Sequence, residues 1–222
     1  MTTQIAGTTF ERVWIVDDDE NARDGYCDPV SELGVEAVPE SGPLPGIDEF
    51  VSKMKSQASG VLCDYILRQR NYSEYNGDLL VESLYKGHLP AVLCTRYTDA
   101  DVTLFRGRRR YIPALLTPSE VDPDNLARGF ETCIEEFAGN FQPDRKPWRT
   151  LVRVEEFVED DKHKYMYIVV PGWSPNKKIR LYLEDLPPNV RNVVREDKRL
   201  HAQVNIDTES HEELYFTEWE ID

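Results

Sequence analysis

Between Val13 and about Ala138, short runs of β-branched and aliphatic residues alternate with stretches whose apolar residues recur at helical spacing. The runs are Arg12–Val16, Val35–Val38, Val61–Ile66, Ala91–Cys94 and Ile112–Leu116. Near-continuous apolar strands of this kind are buried on both faces, which is the mark of a parallel sheet covered by helices. Ile47–Gln57 and Gly77–Lys86 supply two of those helices. Asn21–Leu33 predicts another, but Pro29 lies inside it and should break or kink it, because proline lacks the backbone donor and its ring crowds the preceding turn. The reading is α/β, a doubly wound five-stranded parallel sheet.

After Phe141 the pattern changes. Gln142–Pro147 is polar and carries two prolines, and beyond it apolar and polar residues alternate with a period of two. Trp148–Phe157, Lys164–Val170, Lys178–Leu183, Arg199–Ile206 and Leu214–Thr217 read as strands, separated by the turn-like Pro171-Gly172, Ser174-Pro175-Asn176 and Pro187-Pro188. A small antiparallel barrel or curled sheet fits. Residues 10–141 therefore form one expected domain and residues 147–222 a second, β-rich one.

Composition narrows the function classes. The 222 residues are 40% hydrophobic, enough to build two modest cores. Lys and Arg total 26 against 41 Asp and Glu, and the net charge of -15 repels phosphate backbones and anionic lipid. From Asp144 onward 13 basic residues face 17 acidic ones, a balance of -4 that leaves -11 for the first part. No helix-turn-helix, Walker loop or nucleophile–base motif stands in the second half, so neither a nucleic-acid nor a membrane partner is expected. The first residues lack a basic start followed by an apolar run, and no apolar stretch reaches spanning length, which predicts a cytoplasmic protein.

Several residues have bland readings. Cys27, Cys63, Cys94 and Cys133 form no C-x-x-C pair, and Cys63 and Cys94 sit inside apolar runs as core residues. His163, His201 and His211 lie at no ligand spacing. Trp148, Trp173 and Trp219 read as barrel core or inter-domain contacts. The basic run Arg106-Gly107-Arg108-Arg109-Arg110, placed after the fourth helix, reads as a solvated run or a surface for an acidic protein.

The chemistry gathers at strand ends. Trp14-Ile15-Val16 runs into Asp17-Asp18-Asp19-Glu20, Val61-Leu62-Cys63 into Asp64, and Ala91–Cys94 into Thr95. In an open parallel sheet these carboxyl ends share one edge, where sites are built. Carboxylates crowded there repel unless a hard divalent cation lies between them, and oxygen donors suit magnesium better than zinc. Asp runs often only cap a helix. Asp64 at the end of an apolar run is harder to dismiss, since an isolated carboxylate there costs several kcal/mol.

In their order these pieces resemble the response-regulator receiver domain of two-component signalling, CheY-like and divergent, over roughly Arg12 to Ala138. Val-Trp-Ile-Val-Asp17-Asp18-Asp19-Glu is similar to the family's first strand and acidic pair, Val-Leu-Cys-Asp64 to its phosphoacceptor strand and Val-Leu-Cys-Thr95 to its switch hydroxyl. Asn76-Gly77-Asp-Leu-Leu is similar to the start of its third helix, and Leu-Leu-Thr117-Pro118 to the end of its fifth strand. The resemblance implies a phosphoprotein with Asp64 as phosphoacceptor, Mg2+ held by Asp17, Asp18, Asp64 and the backbone carbonyl of Ile66, and Thr95 as the hydroxyl that moves on phosphorylation. It also implies a histidine kinase or phosphotransfer protein as phosphodonor. The expected function is a signalling or adaptor protein, not an enzyme beyond loss of its own phosphate, with output through protein contacts of the β-rich domain; a homodimer is left open.

The sequence departs from the family at four places. Thr117 stands where the family has lysine, Ala114 where it often has tyrosine or phenylalanine, and Arg96 where a small residue follows the hydroxyl; the loop Leu67–Asn76 is long. Two rivals follow. One is a pseudo-receiver scaffold that is never phosphorylated. The other is a haloacid-dehalogenase-like phosphatase with Asp17 as nucleophile and Asp19 as acid, which gives Asp64 no role and lacks that family's late acidic pair.

Overall fold

The computed structural model describes residues 1–96, 102–159 and 164–221, so His163 and residues 97–101 of the expected fourth helix lie outside the described residues. The chain falls into two compact units, Met1–Arg96 with Tyr111–Phe141, and Tyr97–Arg110 with Gln142–Asp222.

The first unit opens with a hairpin that the hydrophobic pattern does not announce. Strands β1 (Thr3–Ile5) and β2 (Thr8–Phe10) are joined by Ala6 and Gly7, whose φ of 45° and 76° are the paired positive values of a tight two-residue turn. Its purpose is burial: Ile5 and Phe10 enter the core, where Phe10 packs on Phe130. There follow β3 (Arg12–Val16), α1 (Glu20–Glu32), β4 (Glu36–Pro39), α2 (Ile47–Gln57), β5 (Gly60–Asp64), α3 (Gly77–Lys86), β6 (Ala91–Cys94), β7 (Ala114–Leu116) and α4 (Pro123–Phe137). The five strands β3 to β7 form one parallel sheet in the order β4-β3-β5-β6-β7. This is the doubly wound order, and its topological switch point lies between the carboxyl ends of β3 and β5.

Pro29 does not break α1, contrary to the sequence expectation. The helix runs through it. Proline near a helix end forfeits a single backbone bond, here to Gly25, and the fully buried Val30 holds the last turn against the core. Ala114 also finds its reason. A Cβ on Gly129 of α4 would lie 2.8 Å from Val92 and 3.0 Å from Ala114, so α4 rests directly on β6 and β7 and leaves no room for an aromatic ring.

The second unit is an antiparallel sheet in the order β10-β9-β8-β11-β12, built from β8 (Trp148–Glu159), β9 (Lys164–Val170), β10 (Ser174–Tyr182), β11 (Arg199–Val204) and β12 (Phe216–Ile221), with a short helix α5 (Pro188–Arg191). Val152, Val154, Met166, Ile168, Leu200 and Ala202 form its core. Ser174-Pro175-Asn176 is not a turn; it begins β10 as a bulge before pairing resumes at Ile179. Trp173 and Trp219 pack on the core as expected, whereas Trp148 is 42% exposed, its Nε1 donating to Asp207.

The basic run is not a solvated one. It is itself part of a 3-10 helix, Val102–Tyr111, and its arginines are built into the second unit. Arg106, 1% exposed, donates through Nη1 to the carbonyls of His211 and Leu214, and Arg109 pairs with Glu213. Burial brings the Arg106 guanidinium down to about 10, still charged at neutral pH. Gln142–Pro147 is mostly exposed, with Arg145 alone buried: the carbonyls of Asp144 and Arg145 accept from Asn205 and Tyr215, and Arg145 donates to the carbonyl of Arg110.

Candidate functional site

The sheet register places the acids. β3 ends at Val16, so Asp17 leaves the sheet at the carboxyl end beside β5, whose last residue is Asp64. Asp17, Asp18 and Asp64 each present a carboxylate oxygen within 4.8 Å of the others. Asp17 Oδ1 accepts from the Asp19 N–H and Asp64 Oδ2 from the Ile66 N–H, each at 2.8 Å. A donor two residues on is the aspartate's usual turn bond and fixes each carboxylate's aim.

These donors do not offset the site's cost. Burial pushes Asp17 up to about 6, with the charges of Asp18 and Asp19 adding to it, and burial followed by the charge of Asp17 pushes Asp64 up to about 7. Two like charges at 4 Å repel by about 4 kcal/mol at an effective dielectric of about 20, more than one turn bond returns. Asp18 Oδ2 is buried without a hydrogen-bond partner among the described residues. Three clustered carboxylates with an orphaned buried oxygen fit a hard divalent cation; no sulfur or imidazole ligand joins the group among the described residues.

Further residues complete the edge. Thr95 is 3% exposed and follows β6, where Cys94 is level with Asp64; its N–H donates to the Leu116 carbonyl. Asn76-Gly77 starts α3, and the Gly77 N–H donates to the Tyr65 carbonyl at 2.8 Å. Ile66 is half-buried behind Asp64. Thr117, by contrast, is exposed and committed elsewhere: its N–H and hydroxyl both bind Glu120 Oε2, at 2.8 and 2.9 Å, capping the turn Pro118–Glu120. Arg96 is exposed in a cleft of about 490 Å³ shared with Asp28, Glu32 and Asp122.

Two arginines that the sequence patterns do not single out bond to the acidic loop. Arg23, buried in α1, donates Nη1 to the Asp17 carbonyl and lies over the Tyr72 ring. Arg70, from the long loop, donates Nη1 to the Asp18 carbonyl and Nη2 to Asp19 Oδ2, both at 3.1 Å. The Arg70 hydrogen bond holds Asp19 below the usual carboxylate range. Asp19 also accepts from the N–H groups of Asn21 and Ala22 as the α1 cap.

No family model and no curated protein matches the sequence. Among solved structures, the chain is similar to a response regulator receiver domain protein from Clostridium thermocellum at 15% identity and TM-score 0.45, covering 58% of this chain and 97% of that one. It is similar to a CheY-like receiver domain protein from Methanospirillum hungatei JF-1 at 20% identity and TM-score 0.43, covering 59% and 98%. A third is the N-terminal domain of a response regulator/sensory box/GGDEF 3-domain protein from Carboxydothermus hydrogenoformans, at 16% and 0.43, covering 59% and 98%. The strand order, read from this chain itself, is the doubly wound flavodoxin-like one, and the likeness to receiver domains spans about 58% of the chain.

Proposed function

We propose that the protein is a divergent receiver in a signalling pathway, with Asp64 as the acceptor of a phosphoryl group. The observation that carries this is the placement of Asp64 at the end of β5 at the sheet's switch point, within 4.8 Å of Asp17 and Asp18. Asp17 and Asp18 would hold Mg2+ together with Asp64 and the Ile66 carbonyl, and bound Mg2+ would neutralise charge on the phosphoryl oxygens. A carboxylate oxygen of Asp64 attacks phosphorus in a phosphohistidine of a histidine kinase or phosphotransfer protein. The P–O bond to Asp64 forms, the P–N bond breaks, and the released imidazole takes a proton from solvent. The turn bond from Ile66 orients the Asp64 carboxylate. Thr95, buried at the adjacent strand end, is the hydroxyl that would meet the new phosphoryl group.

Output would pass through protein contacts of the β-rich unit. A second reading, a scaffold that is never phosphorylated, draws on one observation: the hydroxyl of Thr117, at the position of the family's lysine, is taken up by Glu120. The chemistry of the adduct separates the two. Incubation with a small phosphodonor and Mg2+ should leave phosphate on the protein that hydroxylamine releases, as an acyl phosphate demands, and Asp64→Asn should carry none. A wild type that takes up no hydroxylamine-labile phosphate would support the scaffold.

A further inference from the structure

We infer that Arg70 is the cation that meets the phosphoryl group at this site, in the role left empty where Thr117 stands. The inference rests on the acceptor reading of Asp64. A phosphoryl donor brings negative charge to a mouth already lined by Asp17, Asp18, Asp19 and Asp64, so a divalent ion alone leaves the entrance anionic. A positive side chain is needed, and Thr117 is exposed and capped.

Arg70 meets the requirements of position and availability. Its guanidinium touches the acidic loop at two points, the Asp18 carbonyl and Asp19 Oδ2. Those contacts use two of its five donors, in a planar fork suited to paired phosphoryl oxygens. The Arg70 side chain is 60% exposed, and an exposed ion pair such as that with Asp19 is weak enough to be exchanged for a phosphoryl dianion. Arg23 is not available in this way, being buried between the Asp17 carbonyl and the Tyr72 ring.

The loop is built to deliver Arg70 rather than to dangle. On one side Leu67 is fully buried; on the other Tyr72 is buried, donates its hydroxyl to the Glu40 carbonyl at 2.7 Å, and accepts at its own carbonyl from the Leu44 N–H at 2.7 Å. Tyr75 adds a bond to the Pro45 carbonyl. Between these anchors Arg70 and Asn71 take φ of 54° and 58°, a left-handed pair that reverses the chain and turns Arg70 back to the acids. The length of Leu67–Asn76 and the missing lysine thereby become one feature.

The test measures two affinities by calorimetry: Mg2+ alone, and beryllofluoride, a phosphoryl mimic, in saturating Mg2+. In Arg70→Gln the mimic should bind about tenfold or more weaker, while Mg2+ binds as well or tighter, since a positive charge has left an acidic mouth. Arg70→Lys should restore part of the mimic affinity. A parallel loss of both affinities would make Arg70 a structural clamp and overturn the inference, as would undiminished mimic binding in Arg70→Gln. A wild type that binds the mimic no better than Asp64→Asn would overturn the acceptor reading itself, and the inference with it.

Discussion

A Cβ on Gly77 would lie 1.9 Å from the carbonyl oxygen of Asp64, so the first turn of α3 is pressed against the backbone of the candidate acceptor. The same Cβ would reach Cys63 Sγ at 2.8 Å. The nearer neighbour is backbone, and the Cys63 side chain is fully buried. Gly77→Ala should therefore cost about 3 kcal/mol or more in denaturant unfolding, or shift α3 and weaken Mg2+ binding with it. A variant with wild-type stability and Mg2+ affinity would show that this contact does not set the site.

Asp18 has a buried oxygen that no group among the described residues satisfies. Mg2+ at a hundredfold excess over its Kd should stabilise the protein by about 2.7 kcal/mol, read as a rise in Tm. Asp18→Asn should be more stable than wild type without metal and should lose most of that rise. Equal Mg2+ responses in the two proteins would remove Asp18 from the cation site.

The pH dependence has a definite sign. In metal-free protein Asp17 and Asp64 hold protons up to about 6 and about 7, above the 3.8 of an ordinary aspartate. The folded chain thus binds more protons than the unfolded one, and stability from this pair is fully present below 3.8 and lost as pH rises through about 6 and about 7. The urea midpoint in chelator should fall across that window, and Asp64→Asn should flatten its upper half. A midpoint that rises there in wild type, with no difference in Asp64→Asn, would contradict the burial of the pair.

Much of this was legible in the sequence, and the rest was not for physical reasons. Strands Arg12–Val16 and Ala91–Cys94 and helices Ile47–Gln57 and Gly77–Lys86 were readable to the residue, because full burial makes a strand continuously apolar and one-sided burial gives a helix its period. The carboxylate cluster was readable because strand ends in a parallel sheet share an edge. The hairpin at Thr3–Phe10 was not, since three-residue strands are too short to show a period. Nor was Arg70, whose role depends on two left-handed residues and a buried tyrosine in a loop. A run of arginines looks solvated by composition; only the facing carbonyls of His211 and Leu214 disclose that Arg106 is interior.

Arg106 yields a prediction of its own. Arg106→Leu would keep the interior filled but strip the donors from two carbonyls of the second unit. It should cost about 3 kcal/mol and speed amide exchange in β11 and β12. Arg106→Lys, with its charge but no fork, should fall between. Unchanged exchange in Arg106→Leu would show that these carbonyls find other donors.

The central claim is that Asp64 accepts a phosphoryl group, and intact-mass spectrometry tests it most directly. After incubation with Mg2+ and a small phosphodonor, wild type should gain the mass of one phosphoryl group, Asp17→Asn should gain it in lower yield, and Asp64→Asn should gain none. A wild type that stays unmodified under conditions where Mg2+ demonstrably binds, or an Asp64→Asn protein that gains the same mass, would contradict it.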